Sequence, residues 1–308
     1  MIALGREEVA ALLEPAALID AVATALADLS AGSASVPPRI AAFTPLGLLG
    51  AMVGYVPSLD VLAAKLVAVF PQNAGMPTHR ALVAVFDPRT GAPQAILDGE
   101  EITAQRTAAA SALATRLLAR EDAEVLAIVG TGVQAASHAR YLASTRKFRG
   151  VVVAGRNPAK AAKLAAGIGG RPASIEEAVR TADVICAATH AAEPVIRMVW
   201  VRPGTHVNSI GLNPRGQELD GTADALVAVE SRSSAFAAPP AGANELRGLA
   251  PASAVELGEL LCGARMGRTS REQITVYKSV GVAAEDAAAA ALVVRRARER
   301  GIGRTIEL

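Results

Sequence analysis

The segment VLAIVGTGVQAASHARYLAS, residues 125–144, constrains the fold of this chain more than any other. An apolar run ends at a glycine turn and a helix-forming stretch follows, which predicts a strand, a tight turn and a helix. Gly130, Gly132 and Ala135 satisfy the spacing GxGxxG/A, in which glycines let the backbone approach a pyrophosphate at a helix N-terminus. We therefore predict a Rossmann-type unit that binds a dinucleotide.

The residues that follow repeat the alternation of strand and helix. VVVAGRNPAKAAKLAAG gives a second strand and helix, and TADVICAAT, THVNSIG and ALVAVES supply further apolar strands at βα spacing. This pattern predicts a doubly wound parallel sheet, and we assign residues 109–284 to an NAD(P)-binding domain.

The rest of the chain predicts a discontinuous α+β domain, residues 1–108 with 285–308. Residues 6–31 have apolar positions at helical spacing with a break at Pro15, and short β-type runs follow up to about residue 98. An Ala-rich helix is predicted at 101–120, with Thr103 or an earlier residue near its cap. A last helix, from about 281 to 300, has acids in its first turn and can return to this domain.

Composition excludes several classes of function. The chain has 308 residues and a net charge of +2, with 3% aromatic residues, so nothing indicates a nucleic acid or an anionic membrane surface as partner. No apolar run reaches the roughly 18 residues that span a bilayer. The two cysteines and four histidines show no metal-binding spacing, so we expect no metal and a cytoplasmic location.

The end of the second predicted strand bears on the choice of cofactor. An acidic residue there would bind the ribose hydroxyls of NAD(H), whereas this chain has Gly155, Arg156 and Asn157, with Lys160 a turn later. A guanidinium can stack on adenine and pair with a 2′-phosphate. NADP(H) is therefore favoured, and NAD(H) is the alternative.

Three cations in the first domain lie in unusually apolar or structured contexts. They are Arg39 in VPPRI, Lys65 in AAKLV and Arg106 in ITAQRTAA. Two arginines suit the carboxylate of a small anionic substrate, most simply an amino or imino acid. Burial and neighbouring positive charge both lower the pKa of a lysine, which predicts that Lys65 exchanges a proton during the reaction.

These stretches resemble the ornithine cyclodeaminase/mu-crystallin family over essentially the whole chain. The resemblance is carried by KLVAVFPQNAGMPTHRA, FDPRTGAPQAILDGEEITAQRTAAASALAT, VGTGVQA, AATHAAEPVI and ITVYKSVGVAAEDAAAA. It implies hydride transfer at a carbon bonded to nitrogen, a homodimer, Lys65 as the catalytic lysine, and Arg39, Arg106 and Thr78 as substrate contacts. It also implies a set of cofactor contacts: Gly130, Thr131, Gly132, Val133, Gln134, Ala135, Thr189, His190, Ser279 and Gly281.

One departure from the family pattern reduces the number of reactions expected of this chain. Cyclodeaminases of the family have a Gly-Gly-Asp-x-Pro-Gly motif, and the matching stretch here, SIGLNPRGQELD, places Asn213 or Leu212 where that aspartate stands. Neither residue is a carboxylate, and Asn213 can only hydrogen-bond to the substrate.

We therefore expect an NADP(H)-dependent reductase of a small cyclic ketimine carboxylate of the pyrroline- or piperideine-2-carboxylate type. Three alternatives stay open: ornithine cyclodeaminase, an alanine-type dehydrogenase and a catalytically silent, mu-crystallin-like NADPH-binding protein.

Overall fold

The computed structural model describes residues 1–213, 215–222, 224–238 and 241–307. Two compact units are present: unit 1 is Met1–Arg106 with Val282–Leu308, and unit 2 is Thr107–Gly281.

The secondary-structure elements alternate along the chain in the order expected for a mixed α/β protein. The strands are β1 (Ile2–Leu4), β2 (Ile40–Phe43), β3 (Leu48–Val56), β4 (Val61–Val69), β5 (His79–Phe86), β6 (Pro93–Asp98), β7 (Val125–Val129), β8 (Gly150–Ala154), β9 (Arg171–Pro172), β10 (Val184–Ala187), β11 (His206–Ser209), β12 (Leu226–Val229), β13 (Val255–Glu256), β14 (Thr275–Lys278) and β15 (Arg304–Thr305). The α-helices are α1 (Arg6–Leu12), α2 (Pro15–Ser30), α3 (Gly99–Leu118), α4 (Val133–Thr145), α5 (Pro158–Gly167), α6 (Ile175–Thr181), α7 (Arg232–Ala235), α8 (Leu257–Leu261) and α9 (Ala283–Arg300).

Unit 1 is built on a mixed sheet with the strand order β15-β1-β6-β5-β4-β3-β2. Strands β1 and β6 are parallel, and the other neighbours are antiparallel. Helices α2 and α9 pack together, and α9 contacts β3, β4 and β5. A Cβ added to Gly54 in β3 would lie 3.3 Å from the Cβ of Ala283, so this glycine allows α9 to approach the sheet closely.

The two faces of this sheet differ because side chains alternate along each strand. On the inner face, which α9 covers, Met52, Ala63 and Val83 are buried. On the outer face, Leu49, Val53, Leu66 and Leu82 are exposed, and so is Ile40 at the edge.

Local signals set the ends of the unit 1 helices. Pro15 is the first residue of α2, which suits its missing N–H. The Asp98 carboxylate accepts a hydrogen bond from Glu101 N at 2.7 Å, so α3 begins at Gly99 and its cap is earlier than Thr103. Helix α9 begins at Ala283 and ends at Arg300, and Gly301, with φ +63°, caps its C-terminus.

Unit 2 contains the predicted doubly wound sheet. Its strand order is β13-β12-β14-β11-β10-β7-β8-β9, and every pair is parallel. Residues of α4 and α5 belong to the apolar core on one face, and residues of α6 to the core on the other. The chain passes from β7 to β8 and β9 on one side and then to β10 on the other, which makes the carboxyl ends of β7 and β10 the topological switch point.

In the described residues, no single helix combines the length and apolarity of a bilayer-spanning segment, although α1 and α2 together meet both measures as a pair bent by 85°.

Candidate functional site

Lys65 lies in the middle of β4 on the inner face of the unit 1 sheet. Its cross-strand neighbours are Met52 in β3 and Val83 in β5, and both are buried. Only 3% of Lys65 is exposed, so the ammonium group does not reach solvent along the edge of the sheet. A charge in this position must be compensated by partners within the protein.

The partners of Lys65 form an ionic cluster with residues of α3 and α9. Lys65 Nζ lies 2.7 Å from Asp286 Oδ2 and 3.5 Å from Thr103 Oγ1. Arg106 donates from Nε to Asp286 Oδ1 at 3.0 Å and from Nη1 to Glu285 Oε2 at 2.5 Å. Asp286 thus joins the two cations, and we call Lys65, Arg106, Glu285 and Asp286 the ionic cluster.

The cluster changes the acid–base behaviour of Lys65. Burial is the largest influence and lowers the pKa of Lys65, and Arg106 lowers it further, whereas Asp286 and Glu285 raise it. The resulting pKa is about 8, against 10.5 for an ordinary lysine. Burial raises the pKa of Asp286, but Arg106 and Lys65 more than offset this, so it stays below its ordinary value. Lys65 can therefore gain or lose a proton near neutral pH beside a carboxylate that remains ionised.

The sequence did not reveal Glu285 and Asp286 as members of a site. Acids in the first turn of a helix are explained by the helix dipole, and Glu285 does accept a hydrogen bond from Val282 N. In the structure both acids are buried, with 0% and 2% of their surfaces exposed. The signal that could have found them is the apolar context of VGVAAEDAAAAAL, in which two buried carboxylates need cations.

The other two predicted substrate contacts of unit 1 lie next to the ends of strands. Arg39 is half-buried, one residue before β2. Thr78 is exposed, one residue before β5, and its carbonyl accepts a hydrogen bond from Phe70 N at 2.8 Å. The described contacts of the ionic cluster thus join Lys65 to Arg106 and do not include Thr78.

The predicted pyrophosphate loop has the geometry that a diphosphate requires. Gly130 has φ +135°, and a Cβ there would lie 2.4 Å from Ala188 O, so only glycine fits. Gly132 is the N-cap of α4 and has no side chain to cap the first-turn N–H groups, and a Cβ at Gly132 would have open space around it. Thr131 separates the two glycines, Val133 and Gln134 begin α4, and Ala135 is buried in the core beneath. These residues fit a dinucleotide phosphate.

The residues predicted to select the cofactor follow β8. Gly155 approaches Thr131 closely, since an added Cβ would lie 2.9 Å from the threonine methyl carbon. Arg156 and Lys160 are exposed. The Asn157 side chain accepts a hydrogen bond from Lys160 N at 3.0 Å and caps α5. Beside the pyrophosphate loop this turn offers two cations and no carboxylate.

The predicted nicotinamide-side residues lie at the carboxyl ends of β10 and β14, where two buried glutamates bind them. Glu218 Oε1 accepts hydrogen bonds from Thr189 N and Thr189 Oγ1, both at 2.7 Å. Glu230 Oε1 accepts from Ser279 Oγ at 2.7 Å and from Gly281 N at 2.9 Å. His190 follows Thr189 and is exposed. Sequence reasoning missed both glutamates, because their partners are far away in the chain.

Asn213 lies in the loop after β11. Its side chain donates to Ala191 O at 3.0 Å and accepts from Arg215 N at 3.0 Å, so it shapes the loop. Leu212 packs against an apolar cluster of unit 2. Neither residue supplies a carboxylate at this point.

No metal centre is found within residues 1–213, 215–222, 224–238 and 241–307, where no three His, Cys, Asp or Glu side chains are grouped in a way that could bind an ion.

Known proteins resemble this chain in sequence and in fold. Residues 2–301 match the sequence profile of the ornithine cyclodeaminase/mu-crystallin family. The chain is 40% identical over 255 residues to the ketimine reductase mu-crystallin of Mus musculus, which covers 80% of each chain.

Two solved structures extend the comparison. The Thermococcus litoralis Δ1-pyrroline-2-carboxylate reductase in complex with NADH and L-proline has a TM-score of 0.92 and 32% identity, and covers 99% of this chain and 100% of that one. An archaeal alanine dehydrogenase dimer with bound NAD has a TM-score of 0.92 and 29% identity, and covers 100% of this chain and 99% of that one.

Proposed function

Because the chain belongs to the ornithine cyclodeaminase/mu-crystallin family, we propose that it is an oxidoreductase that reduces a small cyclic ketimine carboxylate with NAD(P)H. Pyrroline-2-carboxylate and piperideine-2-carboxylate are the substrates of this type. The observation that carries the proposal is the ionic cluster, in which a buried lysine with a pKa of about 8 lies 2.7 Å from a carboxylate.

The reaction adds a hydride to the imine carbon and a proton to the imine nitrogen, so that C=N becomes CH–NH. A bound reduced nicotinamide supplies the hydride. Lys65, in its protonated form, supplies the proton directly or through one water molecule. Asp286 holds the ammonium group in place before the transfer, and afterwards it favours the uptake of a new proton.

The substrate carboxylate is assigned to Arg39 and Arg106. The guanidinium of Arg106 is fixed by Glu285 and Asp286, so it loses little side-chain entropy when an anion arrives. Thr78 and Asn213 are assigned as further polar contacts of the substrate.

We assign the cofactor contacts to the pyrophosphate loop and to the residues around it. Gly130, Thr131, Gly132, Val133, Gln134 and Ala135 would hold the diphosphate, and Thr189, His190, Ser279 and Gly281 the nicotinamide side. The exposed cations Arg156 and Lys160, with Asn157 between them in the chain, support a preference for NADP(H), because the turn after β8 offers no carboxylate for the ribose hydroxyls of NAD(H).

A direct assay tests the function. With pyrroline-2-carboxylate the protein should form proline, and with piperideine-2-carboxylate it should form pipecolate. In each case one mole of product should appear for each mole of NADPH oxidised, and the reaction with NADH should be slower. Proline formation from ornithine without added reductant would instead indicate the cyclodeaminase, which Asn213 disfavours because it lacks a carboxylate charge. Tight NADPH binding without turnover of any of these substrates, or of pyruvate with ammonia, would indicate a binding protein.

We also propose that the protein is a homodimer formed through the outer face of the unit 1 sheet. Ile40, Ala51, Leu66 and Leu82 are cross-strand neighbours and make one apolar row across β2 to β5. Three of these side chains are more than a third exposed, at 71%, 37% and 40% for Ile40, Leu66 and Leu82. A second copy of the same face would cover such a row in a self-complementary contact.

The mass of the protein in solution tests this surface. Leu66→Asp should shift the mass measured by light scattering from dimer to monomer. Val199→Asp, at an exposed apolar position of unit 2, is the matched control and should remain dimeric. A dimeric Leu66→Asp variant would show that the copies meet elsewhere.

We propose that the protein acts in the cytoplasm. Its two cysteines, the buried Cys186 and the exposed Cys262, are not joined to each other, and proteins of reducing compartments rarely contain disulfides.

A further inference from the structure

Glu218 is the centre of a buried hydrogen-bond network in unit 2. Only 1% of its surface is exposed. Its Oε1 accepts from Thr189 N and Thr189 Oγ1, both at 2.7 Å, and its Oε2 accepts from Gly211 N at 2.7 Å and Ser209 Oγ at 2.9 Å. Four donors, two from the loop after β10 and two from the end of β11 and the loop after it, therefore converge on one carboxylate.

Lys278 and Glu245 complete this network. Lys278 Nζ donates to Glu245 Oε1 at 3.0 Å, to Ser209 Oγ at 3.1 Å and to Gly211 O at 2.7 Å. Glu245 Oε1 also accepts from Glu218 N at 2.8 Å. Burial raises the pKa of Glu218 above its ordinary value, even though Lys278 and the donors of Thr189 and Gly211 lower it. Burial of the Glu218 carboxylate thus costs free energy, and an apolar side chain at this position would avoid that cost.

The position of the network in the sheet indicates its purpose. Thr189 follows β10 and Gly211 follows β11, so Glu218 joins the carboxyl ends of two adjacent parallel strands. Strand β10 is also one of the two strands at the switch point of the sheet. In open α/β sheets, ligands bind outside the carboxyl ends of the strands at this point.

We propose that Glu218 is a positioning residue for the nicotinamide half of the cofactor, because it fixes the loops after β10 and β11 at the carboxyl edge of the sheet. This inference rests on the proposed use of a nicotinamide cofactor. The adenine half, assigned to the turn after β8, does not depend on Glu218. The effect of Glu218 should therefore be restricted to one end of the dinucleotide.

Asp183 provides a matched control in the same sheet, at the amino ends of the strands. It precedes β10, and its Oδ2 accepts from Glu124 N at 2.9 Å and Val125 N at 3.0 Å, while its Oδ1 accepts from Arg120 Nη2 at 2.8 Å. Asp183 is thus also a carboxylate that joins two strands, but at their amino ends, away from the edge where ligands bind.

The test compares Glu218→Gln with Asp183→Asn by ligand titration in the absence of substrate. Whichever way a glutamine amide is turned, its N–H₂ group faces one backbone N–H, of Thr189 or Gly211, which then loses its acceptor, whereas the neighbouring hydroxyl can turn to accept. Glu218→Gln should weaken NADH binding about tenfold, as one mismatched buried hydrogen bond does, and leave the affinity for ADP unchanged. Asp183→Asn should change neither affinity.

Hydrogen exchange of the unliganded variants gives an independent readout. The amides of Thr189 and Gly211 should exchange faster in Glu218→Gln, and those of Glu124 and Val125 should exchange faster in Asp183→Asn. If Glu218→Gln is too unstable to purify, Ser209→Ala removes one donor and should produce a smaller loss of NADH affinity of the same kind.

The outcomes separate this inference from the proposed function. Equal losses of NADH and ADP affinity in Glu218→Gln, or unchanged NADH affinity, would overturn the positioning role. If the wild-type protein reduced no ketimine while Glu218→Gln lost NADH and not ADP binding, the reductase proposal would fail and the positioning role would stand.

Discussion

Lys65 and Lys278 are two buried lysines in apolar strands, one in each unit, and their surroundings differ. Lys65 is 3% exposed and Lys278 is 0% exposed, so burial does not distinguish them. Lys278 has three close acceptors, one for each of its N–H groups. Within the described part of the chain, Lys65 forms an ion pair with Asp286 at 2.7 Å and a long hydrogen bond to Thr103 at 3.5 Å.

We infer from this difference that the set of partners, and not burial, distinguishes the lysine that we propose for proton transfer from a structural lysine. The three N–H groups of Lys278 are used to hold loops together, so this side chain is structural. Lys65 is oriented by one carboxylate and still has hydrogen-bonding capacity for a substrate. The comparison can be tested by changing each lysine and its neighbours in turn.

The largest expected effect is on turnover in Lys65→Met. Loss of the proton donor should reduce kcat for pyrroline-2-carboxylate by about 10³-fold, within the range for removal of a general acid. Titration of NADPH fluorescence should give an unchanged Kd, and Lys163→Met, at an exposed site on α5, should be fully active. An active Lys65→Met variant would show that Lys65, like Lys278, has a structural role and does not transfer the proton.

The main effect of Lys278→Met should be a loss of stability and not a loss of catalytic rate. Removal of the ammonium group leaves Glu245 buried without its cation, which should lower the free energy of unfolding by about 3–5 kcal/mol. Urea denaturation measures this loss. A variant as stable as the wild-type protein would contradict the structural role of Lys278.

Asp286→Asn should move the pH dependence of activity. Asp286 raises the pKa of Lys65 against the effect of burial, so without it the pKa should fall below about 8. The pH at which the rate of ketimine reduction declines should therefore move to a lower value in the variant. A pH profile identical to that of the wild-type protein would show that Asp286 does not set the proton affinity of Lys65.

Arg156→Ala should have the smallest effect, and only on the choice of cofactor. Loss of one charge-assisted contact should weaken NADPH binding about tenfold and leave NADH binding nearly unchanged. Isothermal titration with both cofactors measures the ratio. Equal losses for NADPH and NADH would rule out a contact with the 2′-phosphate.

Local sequence signals predicted the fold of unit 2 and the glycine turn between β7 and α4. A glycine turn between an apolar strand and a helix is determined by neighbours in the chain, and so the positions of β7, Gly130 and α4 could be derived without a structure. The buried strand position of Lys65 could also be noticed in the sequence, because a charge in an apolar strand is unusual.

The carboxylates around the two lysines could not be predicted in the same way. Asp286 is distant in sequence from Lys65, and Glu218 is distant from Thr189, so only the tertiary fold brings these groups together. Helix α9 adds a second reason, because acids in its first turn already have a local explanation in the helix dipole. The structural role of Lys278 could not be predicted, because the sequence ITVYKSVG does not reveal how many acceptors surround the ammonium group.

The pH dependence of kcat in both directions tests most directly whether Lys65 handles the proton. Ketimine reduction needs protonated Lys65, so kcat should fall about tenfold per pH unit above about pH 8. Proline oxidation needs the neutral amine, so kcat in that direction should rise about tenfold per pH unit below about pH 8 and level off above it. Mirror-image profiles that disappear in Lys65→Met are the result expected. Profiles of the same slope in both directions, or a transition near pH 8 that persists in Lys65→Met, would contradict the assignment of the proton to Lys65.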